Sequence, residues 1–330
     1  NGIEGIASVE RIFPDVPGTE DKAAEFGLDR WYKVFVAEDS DIETAARNAA
    51  ELACIEKVEY NTYAVKASTG EHYPYTPGAI TKADGSIFND PALKDQWHYI
   101  NTGSSEIANS TYVGGDIAVK DAWTLTAGDP SIIVAVVDEG VKYNHPDLAA
   151  NMWVNKGEIP GNGIDDDNNG YVDDIHGWNF LSTEKYPKEI SWNEPGDVSH
   201  GTHVAGTVAA VNNNGIGISG VAGGTGNGDG CRIMSCQVFS GSSSATVGAR
   251  ARAYHYAAQM GATVLQCSYG QEGGYMTSDN TFETTYSVEI AALRYFRDFG
   301  SQVNGSPVNK NIIVFAAGND GTPMSGYPAA

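Results

Sequence analysis

The sequence predicts an α/β architecture: a doubly wound parallel sheet in the later, larger part of the chain, preceded by a small α+β unit. Two observations carry this. Fully apolar runs near 132–138, 233–239, 263–268 and 312–317 alternate with helical segments at about 200–211, 244–260 and 283–300. Strands without polar alternation belong to parallel sheets covered on both faces. Before residue 67 the strand and helix patterns are short and closely spaced, as in a small sandwich.

The first zone, about 1–66, opens with a strand at 8–13 and a short helix at 19–26. Residues 31–36 alternate like a strand. Ser40-Asp41-Ile42-Glu43 reads as a capping box opening a helix to about Cys54, and 55–66 reads as strand again. The second zone, about 67–110, collects Ser68-Thr69-Gly70, Pro77-Gly78, Asp84-Gly85 and Asn89-Asp90-Pro91, turn signals with little periodicity. It reads as a linker that becomes structured toward Gln96-Trp97-His98-Tyr99. The third zone, about 111–330, carries the sheet.

The 330 residues hold 20 Lys+Arg against 42 Asp+Glu, a formal charge of −22. That balance argues against nucleic acid or an anionic membrane as partner and favours cations. No stretch reaches the roughly 18–20 apolar residues of a membrane helix. Cys54, Cys231, Cys236 and Cys267 form no CxxC pair. Cys236 and Cys267 sit in apolar runs as small core residues, and a Cys231–Cys236 loop stays open.

The chemistry is concentrated in three places. The run Ile132 to Val137 ends in Asp138-Glu139-Gly140, the run Ile312 to Ala317 ends in Gly318-Asn319, and between them stands His200-Gly201-Thr202-His203. Functional groups of a doubly wound sheet gather at the carboxyl ends of its strands. Asp138, His200 and Asn319 can therefore converge. A carboxylate fixes a histidine, the histidine takes a proton from a hydroxyl nucleophile, and an amide donates to the oxyanion. Taken singly, a strand-end Asp or an Asn after Gly reads as a turn. His200 and His203 read alternatively as the metal pair of a metal-dependent hydrolase, although no His-Glu-x-x-His is present.

The conjunction Val136-Val137-Asp138-x-Gly140, His145-Pro146-Asp147-Leu148, His200-Gly201-Thr202-His203-Val204-Ala205-Gly206-Thr207 and Ala316-Ala317-Gly318-Asn319 resembles the subtilisin-like serine proteases. The resemblance implies a subtilisin-like fold and a secreted, periplasmic or cell-surface endopeptidase in precursor form. Residues 1–66 would be a propeptide-like domain that inhibits its own catalytic domain, 67–110 the activation region, and 111–330 the first part of the catalytic domain. It implies Asp138 as acid, His200 as base, Asn319 as oxyanion donor and a structural His203. Glu139 stands where the family has Thr or Ser; buried, it would strengthen the histidine as a base. The family's nucleophile lies in Gly-Thr-Ser-Met-Ala-x-Pro. Here Gly321-Thr322-Pro323-Met324-Ser325 puts proline in its place, and Ser325 reads as an ordinary loop residue. The serine is thus expected from a complementary C-terminal polypeptide; a catalytically inactive protease-like binding protein is the alternative.

The resemblance further implies that polypeptide substrates bind along Ser268, Tyr269 and Gly270, with Ala316, Ala317 and Gly318 opposite, and an aromatic or apolar preference near Tyr269. Asp165, Asp167 and Asn169 fall at positions 1, 3 and 5 of a calcium loop, followed by Gly170, a Tyr171 carbonyl and Asp173; Asp174 stands near the missing last ligand. Asn212 to Gly217 resembles the family's second calcium loop, with Asp147 and Asn213 as ligands. Oxygen donors at both places favour Ca²⁺.

Overall fold

Ile133–Glu139 is the central strand of the protein, and all seven residues are buried. The computed structural model describes residues 5–66, 87–103, 112–181, 190, 199–241, 243–271, 276, 278–300, 308–319 and 328. Most of the linker and the Ser325 segment lie outside the described residues. In chain order the elements are β1 (Ile6–Arg11), α1 (Glu20–Glu25), β2 (Tyr32–Val36), α2 (Ile42–Ala50), β3 (Val65–Lys66), α3 (Val119–Ala122), β4 (Ile133–Glu139), β5 (Gly177–Asn179), α4 (His200–Ala209), β6 (Arg232–Ser240), β7 (Ser243–Ser244), α5 (Val247–Gln259), β8 (Val264–Cys267), β9 (Tyr269–Gly270), α6 (Asp279–Thr285), α7 (Ser287–Phe299) and β10 (Ile312–Phe315).

Five parallel strands stand in the order β10-β8-β4-β6-β5, with β7 antiparallel to β6. Alternate side chains of β4 serve opposite faces. Ala135 and Val137 enter a core shared with α5 and α7, while Val134 and Val136 pack with Ala205 and Ala209 of α4. Each buried valine contributes about 1.5–3 kcal/mol. From β4 the chain builds β5 and β6 on one side, then returns to build β8 and β10 on the other. The order therefore reverses between β4 and β8, where doubly wound sheets open a crevice at their carboxyl ends. At β10 one face stays open: Ile313 and Phe315 join the α5/α7 core, but Ile312 and Val314 are 51% and 47% exposed.

The N-terminal lobe pairs β1 with β2 antiparallel. Its buried Phe13 and Leu28 belong to the same cluster as Tyr256, Tyr295 and Phe296 of α5 and α7. Phe26 meets the Tyr295 ring edge-on at 5.4 Å, and Phe13 meets His255 at 5.3 Å.

Several local expectations change. The cap of α2 is Asp41, whose carboxylate accepts the Thr44 N–H at 2.9 Å, rather than a Ser40–Glu43 box; a carboxylate also suits the helix dipole. The strand expected at 55–66 shrinks to β3, because the donors and acceptors before it serve helix ends instead of a ladder. The helix expected at 283–300 is broken at Tyr286 into α6 and α7. All four cysteines are free. Cys231 and Cys236 lie at and along one extended strand, about 3.3 Å per residue, which carries them beyond bridging distance.

Candidate active site

β4 delivers Asp138 to the crevice and α4 begins there with His200. The helix comes unusually close: a Cβ on Gly201 would fall 2.1 Å from the Glu139 carbonyl oxygen, so only glycine fits. The contact sets Nδ1 of His200 2.7 Å from Oδ1 of Asp138, which also accepts the Glu139 main-chain N–H at 2.6 Å. Asp138 is 1% exposed. Burial pushes its carboxyl above the usual range, and the hydrogen bond from His200 pulls it back. His200 keeps 16% of its side chain open to solvent. An oriented imidazole with one nitrogen on a buried carboxylate and an open edge can take a proton from a nucleophile.

His203 is exposed one turn along α4. Among the described residues, the metal-ligating grouping is elsewhere: Glu158, Asp165 and Asp167. Asn319 lies exposed beyond the end of β10, on the same sheet edge as Asp138 and two strands away.

Of the expected substrate residues, Ser268 and Gly270 are half-buried, Ala316 is half-buried, and Ala317 and Gly318 are exposed. Tyr269 is different. Its side chain is 1% exposed and points away from solvent, with its hydroxyl 2.6 Å from that of Tyr254. Tyr254 donates to Glu289, which holds Arg250 through two contacts of 3.1 and 3.0 Å. Tyr269 is therefore an anchor for β9, with its ring turned into the core. The main chain of β9 pairs antiparallel with Val65–Lys66.

The stretch leading into β3 crosses the starts of two helices. Glu59 accepts the Ser287 N–H at 2.8 Å and the Val288 N–H at 3.4 Å at the head of α7. Asn61 Oδ1 accepts the Gly248 N–H at 2.9 Å, and the Thr62 carbonyl accepts that of Val247 at 2.7 Å, at the head of α5. Lys57 bonds the Thr284 carbonyl and Ser287 hydroxyl. These N–H groups have no partner inside their own helices.

The acidic loop gathers Glu158, Asp165 and Asp167, whose ligand oxygens lie within 4.8 Å of one another. Glu158 stands outside the sequence motif, and only loop closure brings it in. Asn169 donates to Asp167 and Asp174. Asp173 turns to the N–H groups of Gly161, Asn162 and Gly163. Asp174 is buried with Asn155, Asn169 and Tyr256, and burial pushes it up to about 7. The Tyr171 ring packs on Tyr256, Trp178 and Phe180. At the second loop Asp147 accepts from Ile218 and Asn214, while Asn213 donates its side chain to the Thr225 carbonyl. Burial raises Asp147 as well. Asp90, a residue that read only as a turn, accepts from Asn213, Asn214 and Ser219 there.

Known proteins resemble this chain in sequence and fold. The model of the subtilase family, peptidase S8, matches residues 129–330. Over 252 residues, 76% of the chain, the sequence is 31% identical to halolysin of Haloferax mediterranei, of which it spans 38%. Over 213 residues, 64% of the chain, it is 32% identical to thermitase of Thermoactinomyces vulgaris, of which it spans 56%. A stretch of 89 residues, 27% of the chain, is 47% identical to subtilisin-like protease 1 of Plasmodium berghei, of which it spans 14%. The chain thus spans between 14% and 56% of the length of these relatives. Fervidolysin from Fervidobacterium pennivorans, described as a keratinolytic enzyme related to subtilisin, superposes with a TM-score of 0.50 at 20% identity, covering 90% of this chain and 36% of that one; it speaks to the fold alone. The subtilisin-like α/β fold and the family match over most of the chain place this protein in the subtilase family of serine proteases.

Proposed function

We propose that this chain carries the acid, base and oxyanion donor of a secreted serine endopeptidase, held in precursor form by its N-terminal lobe. The Asp138–His200 pair at 2.7 Å in the crevice carries the reading. Asp138 holds the imidazole and stabilises its charged form. The free nitrogen of His200 takes the hydroxyl proton as the nucleophile attacks the peptide carbonyl, then returns it to the leaving amine. Asn319 donates its side-chain amide to the tetrahedral oxyanion. The serine comes from a polypeptide segment that covers the open apolar face at Ile312 and Val314.

Residues 1–66 act as the inhibitor. Lys66 and Val65 occupy the β9 edge along which an extended substrate would lie, and Glu59 and Asn61 clamp α7 and α5. Cleavage within about 67–95 releases the strand. The test is a fluorophosphonate probe on the full protein before and after such cleavage. Labelling of a serine outside this sequence, rising after cleavage, is expected. No labelling in either state, with H200A indistinguishable from wild type, establishes the inactive binding protein instead.

Calcium belongs in the same reading. Three carboxylates within 4.8 Å repel one another unless a cation joins them, and the all-oxygen set suits a hard ion. Glu158, Asp165 and Asp167 would hold it, with Asn169 and the Tyr171 carbonyl beside them. A second ion would sit between Asp147, Asp90 and the Asn213 loop. Chelation is expected to lower Tm by roughly 5–10 °C, measured by calorimetry. In D165N/D167N the chelator's effect should shrink; an unchanged Tm on chelation of wild type removes calcium from the account.

A further inference from the structure

Beside the Asp138–His200 pair lies a carboxylate with no role in the steps above. Glu139 follows Asp138 directly and is 0% exposed. Consecutive side chains of a regular strand point to opposite faces. Here the register of β4 against β6 slips, with Asp138 opposite Gln237 and Glu139 opposite Phe239. Irregularities of this kind re-aim side chains next to active sites. The result is that both carboxylates reach the same residue: Asp138 the ring of His200, and Glu139 Oε2 its main-chain N–H at 2.8 Å.

That N–H is one of the donors that a helix start leaves unpaired. The residue before it, Ser199, makes no side-chain cap and holds a left-handed φ of 60°. Glu139 thus caps α4 from a neighbouring strand, and its own carbonyl forms the floor against which Gly201 is packed. A negative charge at a helix N-terminus is also favoured by the helix dipole.

We propose that Glu139 is a positioning residue for His200, fixing the first turn of α4 on the end of β4 and adding a second buried negative charge beside the imidazole. This rests on the reading of His200 as the general base. The charge stabilises the imidazolium, so the base is stronger and its protonated, idle form persists to higher pH. Among the described residues, the titratable groups near His200 include Asp138 on β4 and, on α4, the exposed His203, which in turn interacts with His98. At the base of the helix Thr202 accepts the Lys142 main-chain N–H.

The experiment is an NMR titration of the ¹⁵N-histidine-labelled full protein in wild type, E139Q, E139A and D138N, with hydrogen exchange at the His200 amide. In E139Q the His200 midpoint is expected to fall by about 0.5–1 unit. Its amide should stay protected there, because the glutamine oxygen still accepts. In E139A the amide is expected to exchange at least about tenfold faster. In the complete enzyme the acid limb of kcat/KM should move with the midpoint. An E139Q midpoint within about 0.2 unit of wild type, with D138N shifted, overturns the role of Glu139 and leaves the Asp138–His200 pair standing. If neither variant shifts His200, the general-base reading falls and this proposal with it.

Discussion

Substituting His200 by alanine is expected to lower kcat/KM for a peptide substrate by about 10⁵–10⁶-fold, since residues of a triad act as a unit and removing the base removes nearly all of their joint effect. The fold should survive. His200 stands at the mouth of the crevice with an open edge, and the packing of α4 is carried by Gly201, Ala205 and Ala209. D138N is expected to be milder, about 10⁴-fold. Asparagine keeps the shape but removes the charge that holds the imidazole in its working tautomer. Oδ2 of Asp138 has no hydrogen-bond partner, so the loss runs through the 2.7 Å contact of Oδ1 with His200. Steady-state kinetics of the activated full protein, with Tm as the folding control, measures both. An H200A enzyme retaining more than about a tenth of wild-type activity would place the base elsewhere.

Acid is expected to loosen the N-terminal lobe through His255. This residue is 1% exposed, and burial holds its imidazole down at about 3. Its ring is enclosed by Phe13 of the N-terminal lobe and Tyr295 of α7; its Nε2 meets Gln259, and its Nδ1 has no partner. Gln259 in turn donates to Thr19 of the lobe. Among the described residues no charged group enters this contact to compensate a proton. The unfolded chain protonates its histidine near 6.5 and the folded one near 3, so between those values the unfolded state binds more protons. Stability is complete above about 6.5 and drains away as pH falls toward 3, by about 3–5 kcal/mol in all. Asp174 works in the opposite sense. Its raised value means that the folded state binds the extra proton, so it gains stability as pH falls below about 7. The difference between wild type and H255F in urea denaturation at pH 7 and pH 4 isolates the histidine. H255F is expected to lose less on acidification, and limited proteolysis of wild type at pH 4 should cut the lobe first. Equal losses in the two proteins would assign acid sensitivity to other groups.

Asp138 and His200 were legible because each is fixed by local pattern: an apolar run that must be a strand, ending in an acid, and a histidine opening a helix of small residues. The parallel sheet was legible for the same reason. Glu158 was not, because nothing in its neighbourhood marks it and only closure of the loop brings it to Asp165 and Asp167. Asp90 read as a turn residue, since the amides it serves lie more than a hundred positions later. Glu59 and Asn61 sat in a run that reads as strand; their partners are the unpaired N–H groups of helices far along the chain. Tyr269 read as a substrate residue just past the 263–268 run, but it starts a separate strand, and which way its ring faces is decided by Tyr254, Glu289 and Arg250, residues no pattern connects to it. Short elements such as β5 and β9 exist only because their neighbours pair with them.

The open side of β10 has a practical consequence for handling the chain. β10 is an edge strand among the described residues, bonded to β8 on one side only, with Ile312 and Val314 turned outward. An unpaired apolar edge is a template for another copy of itself. A preparation of this chain by itself will therefore lose material to self-association as it is concentrated. Fluorescence of a dye that binds exposed apolar surface should rise with that loss. A lysine at position 312 or 314 is the direct way to suppress it.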